Sequence, residues 1–307
     1  MNVTTLGRTG LLVSKMGLGC GGHSRLGLAT GKDEANAISV VHKALERGIN
    51  FIDTAESYKT ETAVGKALVL AKMPRESVVI STKLGPKSGE SFSTKSAFKT
   101  RFEGNLTRLQ TDYVDLLNLH GVTTDEYAYC QSELVPALLE LRDEGKVRFL
   151  GITEAFGPDP QHAMLGPAVA NDSCWDVVMV GFNILNQSAR ERVLAHTQAK
   201  NIGTLCMFAV RRVLSNPDAL KTLLAELVAS GQLPDEALTV FPEGEDTTQR
   251  AYQFCRDEPG IDIVLSGTGN PAHLEANAQA LMSPPMPPHQ RETLMRVFQG
   301  LDSVSGN

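Results

Sequence analysis

The chain has 307 residues, 42% hydrophobic and 21% charged, a globular composition with ample length for a closed core. Thirty-five acidic against 29 basic side chains give no electrostatic reason to expect nucleic acid or an anionic membrane as partner, which leaves small polar molecules. No apolar stretch reaches ~18 residues, and the opening MNVTTLGRTG lacks the basic start and apolar run of a signal peptide, so the expected address is the cytoplasm.

The first segment, TTLGRTGLLVS, has apolar runs flanking a Gly-Arg-Thr-Gly turn and reads as a β-hairpin capping a larger body. Strand-like runs then follow at 13–19, 50–55, 78–84, 114–120, 147–153, 176–182, 203–208 and 261–267. Helical spacing lies between them near 33–47, 61–71, 94–109, 133–144, 160–170, 188–199, 216–230 and 271–281. Asp33, Thr94 and Ser188 stand where N-caps are wanted, and Gly48, Gly145 and Gly203 just past helix ends. Eight alternating units with apolar strands predict a parallel sheet buried on both faces. Closure into a (β/α)₈ TIM barrel leaves no exposed edge, and α/β barrels of about 250 residues form one domain, so a single domain over 1–307 is expected.

After the seventh strand the return is long, and its piece 231–248 reads as an inserted loop of the kind that closes over ligands. A last helix runs to Leu301, packed outside the barrel, and the tail SVSGN is expected to fray. Five scattered cysteines, Cys20, Cys130, Cys174, Cys206 and Cys255, have no zinc-site spacing; no metal is expected, and most read as buried thiols.

GLGCGG at 17–22 has G-x-G-x-x-G spacing, yet HSRLGLATG separates it from the next helix, so a helix N-terminus does not follow the third glycine as a dinucleotide fingerprint requires. These glycines, Gly19 among them, are better read as a tight backbone turn beside a ligand.

Four polar residues close successive strands: Asp53 and, just beyond it, Tyr58; Lys83; and His120. Each has an ordinary explanation alone, as a turn acid, an exposed aromatic, a snorkelling lysine or a hydrogen-bonded imidazole. In a barrel all four converge on the C-terminal rim, where active sites of this architecture form. A phenol of pKa near 10 is a weak proton donor at neutral pH. An ammonium about 4 Å away lowers it by at most about 4 kcal/mol at an effective dielectric near 20, or about three pKa units. Asp53 would hold that ammonium, and His120 would orient a carbonyl oxygen. None of the four is a reductant, so a nicotinamide is implied.

At LGRTGLLVSKMGLG (6–19), GINFIDTAESYKTETAVGKAL (48–68), STK (81–83), TDYVDLLNLH (111–120), GKVRFLGIT (145–153), GFNILNQ (181–187) and GTGNPAHLEANAQAL (267–281) the sequence resembles the aldo-keto reductase family, over nearly the whole chain. The resemblance implies reversible carbonyl reduction with NADP(H) or NAD(H) and a tetrad on Asp53, Tyr58, Lys83 and His120. It also implies cofactor contacts at Gly19, Thr153, Glu154, Met207 or Phe208, Gly267, Thr268, Gly269, His273 and Asn277. Four places depart from the family pattern: Thr153-Glu154 replaces Ser-Asn, Met179 replaces a glutamine, the aromatic that stacks on the nicotinamide aligns with Met207, or with Phe208 if the register slips by one, and Gly267, Thr268 and His273 stand where a cation often meets the 2′-phosphate of NADP. The choice between the two dinucleotides stays open, as do the substrate and the oligomeric state. Two other functions fit the same rim: a nucleotide-binding regulatory subunit with little turnover, and an aldolase using Lys83 as the imine-forming amine. A carboxylate that keeps Lys83 protonated disfavours the second.

Overall fold

The computed structural model describes residues 1–242 and 244–306. Strands β1 (Val3–Thr5) and β2 (Leu12–Ser14) form the antiparallel hairpin. Strands β3 (Met16–Gly19), β4 (Phe51–Asp53), β5 (Val79–Leu84), β8 (Val114–Val122), β9 (Val147–Glu154), β10 (Val177–Gly181), β11 (Gly203–Met207) and β12 (Ile263–Ser266) close a parallel barrel, each beside its chain neighbour and β12 beside β3. A two-residue ribbon, β6 (Lys87–Ser88) with β7 (Ser91–Phe92), decorates the rim after β5. The fold is therefore the expected (β/α)₈ TIM barrel, with its hairpin and an added C-terminal helix at Pro288–Val297.

Period-two alternation sends one set of strand side chains inward and the other toward the helices. Phe51, Val79, Leu116, Val177, Met179, Leu205 and Ile263 fill the interior together with Leu6, Leu11 and Val13 of the hairpin, which plugs the floor. The hairpin covers the floor, and the polar strand ends at Asp53 and Lys83 lie toward the opposite rim.

Asp33 and Thr94 cap their helices as expected, accepting from Asn36 N and Ala97 N. Ser188 does not: its hydroxyl donates to Pro160 O and Asn186 Oδ1. Gly48 and Gly145 adopt positive φ, but Gly203 is the first residue of β11, and the left-handed residue after that helix is Asn201, φ 51°. The helix expected near 133–144 starts earlier, at Thr124, where Glu126 accepts from Thr123 N at 3.2 Å; the T-x-x-E spacing at 123–126 was the available signal. The helix near 160–170 spans Leu165–Asn171.

The inserted piece 231–248 is docked on the C-terminal helix rather than free: Leu233, Ala237 and Val240 are buried, Glu236 pairs with Arg296, and Phe241 meets Phe298. Glu243 within it lies outside the described residues. The tail is not frayed as far as Gly306. Asn186 Nδ2 donates to Val304 O, Asn183 Nδ2 to Ser305 O, Arg211 Nη1 to Ser305 Oγ and Val213 N to Gly306 O. Asn307, the last residue of that stretch, lies outside the described residues. Four cysteines are buried and Cys174 is half-buried. Among the described residues no helix is long and apolar enough to cross a membrane, and no group of three His, Cys, Asp or Glu could hold a metal.

Candidate active site

The ends of β4, β5 and β8 bring Asp53, Lys83 and His120 to the rim, and the short turn Glu56–Tyr58 after β4 folds Tyr58 back over them. Lys83 is fully buried and Asp53 nearly so. The ammonium donates to Asp53 Oδ2 at 2.6 Å and to Thr54 O at 2.8 Å, which satisfies a charge that would otherwise be costly in the interior. Lys83 Nζ also lies 4.9 Å from the centre of the Tyr58 ring. Tyr58 Oη is 3.3 Å from His120 Nε2, and His120 Nδ1 is 3.5 Å from Ser57 Oγ at the surface. Gly21 makes this arrangement possible: a Cβ there would sit 2.5 Å from the Tyr58 ring. Thus the glycine run after β3 serves close approach, and the α-helix after it starts only at Glu34, past a 3-10 segment at Arg25–Thr30.

Burial dominates the electrostatics. It pushes the Tyr58 phenol above its ordinary value; Lys83 pulls it down, as expected from the sequence, but does not prevail. Burial likewise raises the Asp53 carboxyl against the opposing pull of Lys83 and Ser81. It lowers Lys83, but Asp53, Tyr58 and Cys20 outweigh it, and the ammonium ends above its usual range. His120 is driven down to about 3, first by burial and then by Lys83, so its imidazole is neutral at physiological pH. The tetrad therefore holds one firm cation, its counter-charge, and two neutral proton carriers in line.

The other expected cofactor residues divide into those joined around the loops after β3 and β12 and those at the ends of β9 and β11. Gly19 O lies against Gly267, joining the loops after β3 and β12. Gly269 packs on the backbone of Gly27, and its carbonyl accepts from Lys32 Nζ at 2.9 Å and Asn36 Nδ2 at 3.0 Å. Those two donors are far away in sequence, and sequence reasoning missed them. Thr268 Oγ1 accepts from Asn270 N, and Asn270 caps the helix Pro271–Met282. His273 is exposed in the first turn of that helix, which carries no acid, and Asn277 Nδ2 donates to Ser266 Oγ. A helix N-terminus with a neighbouring ammonium and no acid suits an anionic dinucleotide.

Nearer the tetrad, Thr153 Oγ1 accepts from Gly121 N and keeps its own proton free to donate. Glu154 turns away from the barrel interior. Its carboxylate accepts from His162 Nδ1 at 2.8 Å and from Gly181 N at 2.8 Å, and both side chains of the pair are fully buried. Met207 packs against the interior cluster that includes Met179, whereas Phe208 has φ 65°, stacks on Phe156 and lies under the Arg211 guanidinium. Of those two candidates for stacking on a nicotinamide, the inward-facing one is Met207.

Comparison with known proteins agrees with the barrel fold. The profile of the Aldo/keto reductase family matches residues 15–295. The chain is similar to "L-galactose dehydrogenase" of Arabidopsis thaliana, 39% identical over 99% of this chain and 95% of the relative. It is also similar to "Aldo-keto reductase YhdN" of Bacillus subtilis, 29% identical over 90% of this chain and 87% of the relative. Among solved structures, aldo-keto reductase AKR11C1 from Bacillus halodurans in its holo form superposes with a TM-score of 0.76 at 28% identity, covering 97% of this chain and 96% of that one. With a closed barrel, a buried lysine–aspartate pair under a tyrosine and these relatives, the chain belongs to the aldo/keto reductase family of nicotinamide-dependent oxidoreductases.

Proposed function

We propose that residues 1–307 act as one catalytic domain that interconverts an aldehyde or ketone and its alcohol, with Tyr58 as the general acid and base. The observation that carries this reading is Tyr58 Oη 3.3 Å from His120 Nε2, above the sealed Lys83–Asp53 pair. A bound reduced nicotinamide would supply hydride to the carbonyl carbon. As negative charge develops on the carbonyl oxygen, Tyr58 Oη gives it a proton and the neutral His120 stabilises it through Nε2–H. The phenolate left behind faces the Lys83 ammonium, which Asp53 keeps in place. In the oxidative direction the same groups run in reverse, and Tyr58 removes the hydroxyl proton. Thr153, Met207, the loop 267–270, His273 and Asn277 would hold the dinucleotide.

The substrate class we infer is a sugar or polyhydroxy alcohol and its carbonyl partner, from the likeness to the relative named L-galactose dehydrogenase. NADP(H) and NAD(H) both fit: Gly267 and Thr268 bring no charge, while Lys32 brings an ammonium to the same loop. The test is fluorescence titration with each reduced dinucleotide, then turnover on a panel of aldoses, polyols and simple aldehydes. Dinucleotide binding with oxidation of an aldose supports the reading; binding with no turnover of any panel member would favour a nucleotide-responsive regulatory subunit.

A further inference from the structure

Beneath the tetrad, strand register brings two more polar side chains into line. Asp53 on β4 is paired with Ser81 on β5, and Lys83 on β5 is paired with Asn118 on β8. Ser81 and Lys83 stand two residues apart on the same face of β5, and each takes one oxygen of the Asp53 carboxylate. Ser81 Oγ donates to Oδ1 at 3.0 Å, and Lys83 Nζ donates to Oδ2 at 2.6 Å. Asn118 Nδ2 donates to Ser81 Oγ at 3.1 Å and to Thr82 O at 3.2 Å.

These partners fix the direction of every proton in the chain. Thr82 O can only accept, so the amide nitrogen of Asn118 must face it and Ser81. A serine hydroxyl has one proton; with Asn118 donating to its oxygen, that proton is committed to Asp53. The arrangement leaves Asn118 Oδ1 buried with no donor among the described residues, turned toward Gly151, where a Cβ would collide with it. An orphaned buried acceptor is unfavourable and rare in native proteins, so a local benefit must offset it. The benefit on view is the oriented hydroxyl. Ser81, Asn118 and Asp53 are all buried, away from bulk solvent.

We propose that Ser81 and Asn118 are positioning residues for the carbonyl–alcohol reaction, a relay from amide to hydroxyl to carboxylate that keeps Asp53 ionised and aimed at Lys83. The proposal rests on the functional reading given above. The charged and titratable groups facing Asp53 are Lys83 from β5, Tyr58 from the turn after β4 and Cys20 from the loop after β3, with His120 of β8 beyond Tyr58. All remain in place in the variants below.

The experiment follows the Asp53 carboxyl by carbon NMR against pH in dinucleotide-free protein, and kcat against pH in the presence of dinucleotide. The proteins are the unsubstituted chain, Ser81→Ala, Asn118→Ala and the double variant, each checked by thermal melting. Ser81→Ala removes a single oxygen atom and is expected to move the Asp53 midpoint and the acid limb of kcat upward by about one unit. KM for the carbonyl and dinucleotide affinity should be unchanged. Asn118→Ala should move both less, in the same direction, and the double variant no further than Ser81→Ala. An Asp53 midpoint that stays put in Ser81→Ala overturns the relay whether or not turnover is found. So does a kcat lowered equally at every pH, or a double variant whose shifts add. An unsubstituted chain that binds neither dinucleotide overturns the functional reading instead, and is read from the fluorescence titration alone.

Discussion

The rings of Tyr58 and His120 meet edge to face, 5.3 Å between centroids at 86°, with phenol oxygen and imidazole nitrogen within hydrogen-bond reach. A neutral imidazole held this way can share a proton with the phenol without adding a competing charge next to Lys83. Tyr58→Phe is therefore expected to lower kcat for carbonyl reduction by at least ~10²-fold, in line with general-acid contributions. Dinucleotide affinity should stay within about twofold, since the phenol makes no part of the loop 267–270. Steady-state kinetics with fluorescence titration checks both; unchanged turnover would remove Tyr58 as the acid.

Gly21→Ala tests the same relationship without touching a titratable group. The added methyl falls on the Tyr58 ring and displaces it from His120. The expected result is a kcat reduced by about tenfold or more, in the direction set by misplacement of a reacting group, with little loss of thermal stability. Full activity in this variant would mean that the ring is not where catalysis needs it.

His120 gives a pH signature. Its folded value, about 3, lies below the ordinary ~6.5 of an unfolded histidine, so the unfolded chain takes up the proton first as pH falls. The stabilisation from keeping this imidazole neutral is complete above pH ~6.5 and is lost as pH drops from there toward 3. His120→Gln should remove that dependence, narrowing the stability difference between pH 6.5 and 4.5 by ~2 kcal/mol relative to the unsubstituted protein. Urea unfolding at the two pH values measures it, and parallel curves for the two proteins would contradict the neutral imidazole.

The pair Lys83–Asp53 predicts non-additive stability. Lys83→Met or Asp53→Asn alone strips a buried charge of its partner and should cost about 3–5 kcal/mol. The double variant should recover part of that loss, since no uncompensated charge remains. All three should lack turnover. Denaturant midpoints decide the matter: a double variant as unstable as the sum of the singles would show that the pair is not one unit.

Dinucleotide choice is addressed at the helix Pro271–Met282. His273→Arg places a fixed cation in its exposed first turn and should improve NADPH binding relative to NADH by roughly fivefold or more. The ratio of the two dissociation constants is the readout. An unchanged ratio would mean that the 2′-phosphate does not lie near position 273.

The sequence made the barrel legible because eight apolar runs alternate with helical stretches, and it made the tetrad legible because a carboxylate, an ammonium and an imidazole end strands that are otherwise apolar. Ser81 and Asn118 carried no such contrast. A serine and an asparagine inside strands are unremarkable until register places them beside Asp53 and Lys83. Lys32 was hidden for a similar reason, since its partner Gly269 comes from the opposite end of the chain. The net direction of the Tyr58 shift was not legible, because spacing reveals a neighbouring charge but not how far burial counteracts it. Glu154 could be placed at the end of β9 from the sequence, but its outward turn to His162 depends on a residue in left-handed conformation, φ 58°, which nothing in the motif announces.

The anchoring of residues 304–306 by Asn183, Asn186, Arg211 and Val213 has a practical side for anyone producing the protein. An affinity tag fused at that end must lead away from the segment resting on Arg211, and Arg211 in turn covers Phe208 beside the last residue of β11. A tag on the hairpin side enters at the sealed floor, across the barrel from every residue discussed as reactive, and is the safer choice for kinetic work.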